Sequence, residues 1–510
     1  MISRFHDLCN LANKYNIKLI VALLTGWMSG ALFVPPALFD KNLFNNQESL
    51  YLETLFLRGF VNEFKDESAI IAWEPGNECN CMSPAVDSVT SWNWINMVVS
   101  TIKQSDSSRP VYSGMHGSRI DYTRPWNQQI LGELTDGLTT HPYPLFTPNC
   151  GKSALNTLPA NYHAIAESIY YQGGSRKLCF IEEIGSFGPA YMDAKRTEDY
   201  LYTVLYSAYA HGIPGVLWWC AFAFDRCNEQ YPYRWVAMER DLGAFDSYRN
   251  PGGGAKAMKK FLNEIKELPY GNLPKRKVDC LVVATLNENM WQAAYGAFIL
   301  STQAGFSIEY CDILSQDSLP ESNFYIVPCI TGFSVMPIDK YQQILKAAAN
   351  GATVCFTAAN GMLQPFVDEF GFNVKYIAEV PSQNYFRIND IADEFCIPST
   401  ITRVLNSNTC ETLGSDKEGN PVLVCKKYGK GKLVYLNVPL ENNAITQECK
   451  LYKIYQKFAE IAGVECLDKS PEIGITRHFY PDGKEVRILI NYADYQVEDM
   501  PGNSVKIERF

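Results

Sequence analysis

The sequence predicts an α/β chain in three parts: a (β/α)8 barrel of the TIM type whose first two strands are missing, a flavodoxin-like α/β domain, and a small C-terminal β domain. Three observations carry this. Apolar runs alternate with segments of helical period at roughly 30–40 residues per unit up to about residue 224. The alternation restarts at Val278, after a stretch bearing Gly252, Gly253, Gly254 and the linker PYGNLPKRK. From about residue 468 the apolar period falls to two, around the turn PDGK.

The elements follow in order. Residues 3–16 carry apolar side chains at 5, 8, 11, 12 and 15, a helical spacing, and 17–24 (IKLIVALL) read as a buried strand. Helices are expected over 50–66, 92–106, within 161–174 and over 197–212. Strands are expected over 68–78, 109–117, 136–144, 177–185 and 214–224. That gives six strands where a closed barrel needs eight. The first helix opens the chain, so the expectation is an N-terminally truncated fragment, with the barrel over 1–265. A second α/β series spans 276–465, with 429–440 as a hairpin-like late part, and 468–510 form the β segment.

Composition narrows the function classes. Gly 34 and Pro 27 are ordinary for a globular chain. Lys+Arg 45 against Asp+Glu 55, with no basic run, lacks the electrostatic footprint of a nucleic-acid binder. Residues 19–39 carry no charge but include Thr25, Gly26, Ser29, Gly30, Pro35 and Pro36, so a strand and loop fit better than a membrane span. Sixteen cysteines, none in a C-x-x-C pair and many inside apolar runs, argue against a zinc site or disulfide framework. With no leader legible after Met1, the expected location is the cytoplasm.

In a parallel barrel the chemistry sits at the C-terminal ends of strands. Glu78 closes AWEPGNE, Glu182 and Glu183 close CFIEEIG, and His141 and Tyr143 close TTHPYP. Trp218 and Trp219 lie in the last strand, and Trp27 follows the first. Two carboxylates, a His-x-Tyr pair and aromatic faces in one cavity suit glycoside cleavage, in which one carboxylic acid protonates the leaving oxygen while the other attacks the anomeric carbon or activates water. Glu78 and Glu183 lie 105 positions apart, near the about 90 residues of three βα units. A lone Glu after a strand is ordinarily a cap or solvated residue; two in this order and spacing reverse that. Glu182 competes with Glu183, since side chains alternate along a strand and only one of the two should point inward. Glu74 reads as a rim or structural carboxylate, Trp126 as rim or packing, and His116 as either a substrate contact or a surface residue.

These motifs resemble the retaining glycoside hydrolases of clan A. Gly76-Asn77-Glu78 is similar to their fourth-strand Asn-Glu, and His141-Pro142-Tyr143 to the sixth-strand His-x-Tyr. Glu183-Ile184-Gly185 is similar to the family-five Glu-aromatic-Gly, with Ile in place of the aromatic, and the Trp219 region to the eighth-strand Trp. The resemblance covers about residues 1–240. The later domains resemble those that follow the barrel in family forty-two β-galactosidases and related β-mannosidases. It implies Glu78 as acid/base and Glu183 as nucleophile. It also implies substrate binding by Asn77 (at the sugar 2-hydroxyl), His141, Tyr143, Trp219, Trp27 and His116, with Tyr143 bonded to the nucleophile. The Arg or Asn that the clan carries on its second strand is absent, so the chain alone is expected to be impaired.

The reading is a retaining hydrolase of β-mannosides, β-galactosides or β-glucosides, mannosides ahead because the Glu spacing and the double Glu resemble family-five mannanases. Its partner is an oligo- or polysaccharide, with neither nucleic acid nor membrane, and the resemblance implies a homo-oligomer, a trimer, through the α/β domain. No metal and no organic cofactor is implied. Glu78 is expected to have its pKa raised by its anionic neighbour. One alternative is a non-catalytic carbohydrate-binding or assembly protein. Another is an amidotransferase-like enzyme acting through Cys329, which lacks the flanking glycines such a nucleophile needs.

Overall fold

The computed structural model describes residues 1–117, 124–147, 150, 157–186, 188–227, 229, 234, 237–268, 273–286, 290–314, 318–332, 335–361, 368–445 and 450–510. The chain divides into two compact units. One comprises Met1–Tyr143, Gly174–Glu198 and Ile213–Lys259; the other comprises Pro144–Gly173, Asp199–Gly212 and Lys260–Phe510.

The chain opens with α1 (Ile2–Lys14), β1 (Leu19–Ala22) and a ribbon of β2 (Trp27–Met28) with β3 (Ala31–Leu32). It continues through α2 (Gln47–Phe64), β4 (Ile70–Glu74), α3 (Ser88–Ser105), α4 (Gln128–Leu134) and β5 (Leu138–Thr140). Then come α5 (Leu158–Ser175), β6 (Cys179–Ile184), α6 (Ala194–His211), β7 (Val216–Trp218) and α7 (Gly253–Glu267). The expected helices and strands are present with shifted ends. The strand expected over 109–117 shrinks to two bridging residues, Val111 beside Trp73 and Tyr112 beside Gly137.

Pairing in the first unit is parallel throughout the strand series: β1 with β4, β5 with β6, and β6 with β7. Val111 and Tyr112 bridge β4 to the start of β5, so six strand positions follow one another in chain order. Among the described residues β1 and β7 each have one strand partner, so the series is open at both edges. Apolar side chains lie bare there: Leu217 of β7 is 46% exposed and Ile17, before β1, 54%.

Local sequence explains the elements. Asn46 caps α2 by accepting from the backbone N–H groups of Glu48 and Ser49, and Asp87 caps α3 through Thr90 N–H. Leu57, Phe60, Val61 and Phe64, at helical spacing, form the buried stripe of α2. Phe5 of α1 meets Phe60 and Phe64 edge-on at 5.0 and 4.7 Å. At the far end of β4, buried Asp106 accepts from Trp73 Nε1 at 2.9 Å and pairs with Arg109 at 2.7 Å.

Two glycines let the strand-end loops approach each other. A Cβ on Gly76 would lie 1.9 Å from the carbonyl oxygen of Leu24. Gly114, at φ +59°, would place a Cβ 2.1 Å from the carbonyl oxygen of Gly76. No other residue fits either position.

The second unit carries a nine-stranded sheet in the order β13-β12-β14-β15-β16-β11-β10-β8-β9. Its parallel part comprises β8 (Cys280–Ala284), β9 (Ile308–Asp312), β10 (Phe324–Ile330), β11 (Thr353–Ala358) and β16, with α8 (Met290–Ala304) and α9 (Ile338–Asn350) as crossovers. An antiparallel extension of β12 (Phe372–Ile388), β13 (Glu394–Ser407), β14 (Glu411–Asp416) and β15 (Pro421–Tyr428) returns to β16 (Gly431–Leu436). This departs from a purely doubly wound reading. β13 alternates buried and exposed positions, as strands with one wet face do. The helices α10 (Leu440–Asn443) and α11 (Tyr452–Ala462) precede an antiparallel sheet of β17 (Ile473–Phe479), β18 (Glu485–Asn491) and β19 (Val505–Arg509). No helix is long and apolar enough to cross a membrane among the described residues.

Candidate active site

Glu78 opens the 3-10 turn Cys79–Cys81 that follows β4, with φ 45° and ψ 45°. Left-handed backbone costs a residue with a Cβ about 1–2 kcal/mol, a local strain of the kind that gathers at functional positions. It brings the Glu78 carboxylate to the ring of His141, just beyond β5. Oε1 of Glu78 lies 2.9 Å from Nδ1 of His141. Oε2 of Glu183, in β6, lies 3.6 Å from the same nitrogen. The structure therefore joins the two sequence-predicted carboxylates around one imidazole. Tyr143 donates its hydroxyl to Oε1 of Glu183 at 2.6 Å.

Glu182 does not point away. Its Oε2 lies 3.2 Å from Nε2 of His141. The expectation that only one of Glu182 and Glu183 faces inward is corrected: the register of β6 against β7 shifts between Ile181 and Ile184, and such a bulge breaks the strict alternation of side chains. Glu74 is not a rim residue either. It is 3% exposed and hydrogen-bonds Glu182, which makes it the buried floor of the cluster.

Charge is distributed accordingly. Burial pushes the His141 imidazole down, but the charges of Glu183, Glu182 and Glu78 outweigh it and hold His141 well above its ordinary value. Burial likewise pushes Glu78 up, yet the hydrogen bond and charge of His141 win, and Glu78 sits below the ordinary carboxylate range. This overturns the expected upward shift of Glu78: the anionic neighbour is present, but a cation lies closer. Glu183 is raised, by burial first and by Glu78, against the opposing charge of His141. Glu74 is held well above its ordinary value by burial and by the charge of Glu182, so it keeps its proton and donates to Glu182, which stays ionised. Burial and Glu183 keep Tyr143 a phenol.

The remaining predicted residues gather around this centre. Asn77 donates its side-chain amide to the carbonyl of Trp27 at 3.1 Å, so the loop after β1 is tied to the Glu78 turn. His116 lies with its ring centroid 6.1 Å from that of His141, its backbone held at both N–H and C=O by Asn80. One ligand atom from each of Glu78, His116 and His141 falls within 4.8 Å of the others, the donor types of a divalent-cation site. Trp219 packs with Tyr143, Leu242 and Tyr191, while Trp218 donates to the carbonyl of Leu242 at 3.2 Å. Trp126 meets Phe44 and Trp94 edge-on, a packing residue.

Sequence reasoning missed Glu239. It lies in the short 3-10 helix Ala237–Asp241 and accepts from Nε1 of Trp219 at 2.8 Å. No periodicity marks it; an acidic residue after a barrel's last strand was the only available signal. Cys329 is fully buried, and burial pushes its thiol well up, which is the state of an inert cysteine.

No family profile matches the chain. Mannan endo-1,4-β-mannosidase F of Aspergillus clavatus is 25% identical over 120 residues, 23% of this chain and 27% of that protein. A probable mannan endo-1,4-β-mannosidase A of Aspergillus flavus is 25% identical over 124 residues, 24% of this chain and 32% of that protein. The chain thus matches about a third or less of the length of these curated relatives. Among solved structures, an exo-β-1,4-mannosidase from Opitutaceae bacterium strain TAV5 superposes with a TM-score of 0.72 at 17% identity, covering 92% of this chain and 86% of that one. A β-galactosidase from Rahnella sp. R3 superposes with a TM-score of 0.75 at 10% identity, covering 100% and 90%. The fold is one shared by these mannosidase and β-galactosidase structures.

Proposed function

We propose that the chain is the catalytic portion of a retaining β-glycoside hydrolase acting on oligo- or polysaccharides, with β-mannosides as first candidates. One observation carries this: Glu78 and Glu183 both reach Nδ1 of His141, at 2.9 and 3.6 Å. Their facing oxygens are separated by no more than those two distances together. That ceiling sits at the bottom of the range of about 6.5–9.5 Å needed by inverting pairs, and leaves room for the about 5–5.5 Å of retaining pairs. The mannosidase relatives favour mannosides.

In this reading Glu183 attacks the anomeric carbon while the glycosidic oxygen takes a proton and leaves with the aglycone. A water molecule then gives up a proton and cleaves the glycosyl ester, restoring Glu183. The proton enters through Glu78 but is stored on His141, whose imidazolium already lies against Glu78 Oε1. As sugar displaces water around the pair, the ion pair becomes costlier and the proton shifts to the carboxylate. Tyr143 steadies the nucleophile, and Glu239 orients Trp219 toward the sugar face.

The test is a panel of aryl β-mannosides, β-galactosides and β-glucosides, followed by trapping with the matching 2-deoxy-2-fluoro glycoside. The expected result is turnover of the mannoside and a glycosyl adduct on the peptide bearing Glu183. Turnover with inversion, followed by NMR of the first-formed sugar anomer, would refute the retaining mechanism.

A further inference from the structure

We propose that Glu78, His116 and His141 form a binding site for a divalent cation of the zinc class, and that filling it arrests the acid/base. The proposal rests on the hydrolase reading for its effect on turnover, but not for the site itself.

The donor set is two imidazoles and one carboxylate, the kind of three-ligand shell that leaves a fourth zinc position open to water. Their ligand atoms lie within 4.8 Å of one another. Bond lengths of about 2.0–2.2 Å to each atom require a modest inward movement, and His116 is placed to make it. It sits between Gly114 and Gly117, both at positive φ, in a loop anchored by Asn80 rather than by a strand.

Two further observations favour a cation. Nδ1 of His116 is buried and has no hydrogen-bond partner among the described residues. On the other side, Nε2 of His141 is held by Glu182 at 3.2 Å. Carboxylate support on the far nitrogen of a histidine is the arrangement that orients metal-ligating imidazoles and raises their basicity. Glu74, bonded to Glu182, extends that support one residue further.

The chemistry is a ligand exchange. The cation takes the place of the proton shared between His141 Nδ1 and Glu78 Oε1; the proton leaves to solvent, and no bond to carbon changes. Glu78 then has no proton to give, and the bound cation lowers the affinity of its remaining oxygen for one, so glycosidic cleavage stops until a chelator removes the ion.

Zinc(II) binding to the full chain is measured by calorimetry, and cobalt(II) binding by its ligand-field spectrum, both without any glycoside. The expected result is one ion per chain with tetrahedral-type cobalt bands. His116→Ala should weaken binding at least tenfold, and Glu182→Gln by about 10–100-fold through its hold on His141. His116→Gln, with thermal unfolding of both variants, guards against misfolding. Zinc should suppress turnover in the unsubstituted chain, with recovery on adding a chelator. A cobalt spectrum unchanged from the aqueous ion, or equal zinc affinity in folded His116 variants, overturns the proposal. Binding by a chain that hydrolyses no glycoside supports the cation site independently of the hydrolase reading; hydrolysis without binding or inhibition overturns the site and keeps that reading.

Discussion

Nδ1 of His141 lies 2.9 Å from Oε1 of Glu78, and the side chain making this contact is wholly shielded from water. The imidazole is held well above its ordinary value and the carboxyl below its own. The pair therefore carries one proton, on the ring, in the resting protein. If that proton feeds the leaving group, the basic limb of the kcat/KM profile should lie above pH 6.5, the ordinary value for His. His141→Gln should lower kcat by about 10²–10⁴-fold, the usual worth of general acid–base catalysis. The substitution also removes the cation that depresses Glu78. That carboxyl rises and becomes the proton carrier itself, and the basic limb moves to lower pH. A profile with its basic limb unmoved would assign the limb to another group.

The two carboxylates are separable by rescue. Glu183 is raised by burial while Glu78 is lowered by His141, so proton affinity alone would name Glu183 the acid. Their surroundings name it the nucleophile: Tyr143 donates to it as to an anion at 2.6 Å, and Glu78 is the carboxylate with a proton store beside it. Glu78→Ala and Glu183→Ala should each lower turnover of an unactivated glycoside by at least about 10²-fold. With an activated aryl glycoside, azide should rescue both and give products of opposite anomeric configuration. Glu78→Ala yields the retained glycosyl azide and Glu183→Ala the inverted one. The reverse pairing would exchange the two roles.

Tyr143→Phe tests the support of the nucleophile. A hydrogen bond to a charged group contributes about 1.5–3 kcal/mol, so its loss should lower kcat by roughly 10–150-fold if the anion is needed in the transition state. The raised pKa of Glu183 has burial as its first cause and the tyrosine's bond as an opposing one. Removing the hydroxyl therefore shifts the acidic limb upward. A change in KM alone, with kcat and both limbs unmoved, would make Tyr143 a binding residue.

The site was legible where chain position alone decides direction. Glu78, His141, Tyr143 and Glu183 all sit at or just past the C-terminal ends of parallel strands, and a parallel sheet sends such ends to one side. What escaped depended on local departures. The inward turn of Glu182 comes from a register shift that an alternating pattern cannot encode. The lowered Glu78 depends on which of two oppositely charged neighbours lies nearer, which spacing along the chain does not measure. Glu239 comes from a short turn with no period. In the second unit, the β8–β11 series was readable because its strands are short apolar runs between helices. The β12–β13 pair, 17 and 14 residues long, was missed because its many polar positions read as loop.

Glu53 provides a test of stability apart from catalysis. It lies in α2 at 6% exposure and accepts from Trp94 Nε1 at 2.9 Å. Burial, only partly offset by that bond, pushes its carboxyl up to about 7. The unfolded chain releases this proton near pH 4.5, whereas the folded one holds it until about 7. Between these values the folded state binds more protons, so stability falls as pH rises. The shift corresponds to about 3 kcal/mol, fully lost above pH 7. Glu53→Gln has no proton to lose and still offers its amide oxygen to Trp94. Chemical denaturation at pH 5 and pH 8 should show the variant gaining about 2.5 kcal/mol on the parent at the higher pH, since part of the shift is already lost at pH 5. An equal difference at both pH values would mean that the folded chain ionises Glu53 as readily as the unfolded one.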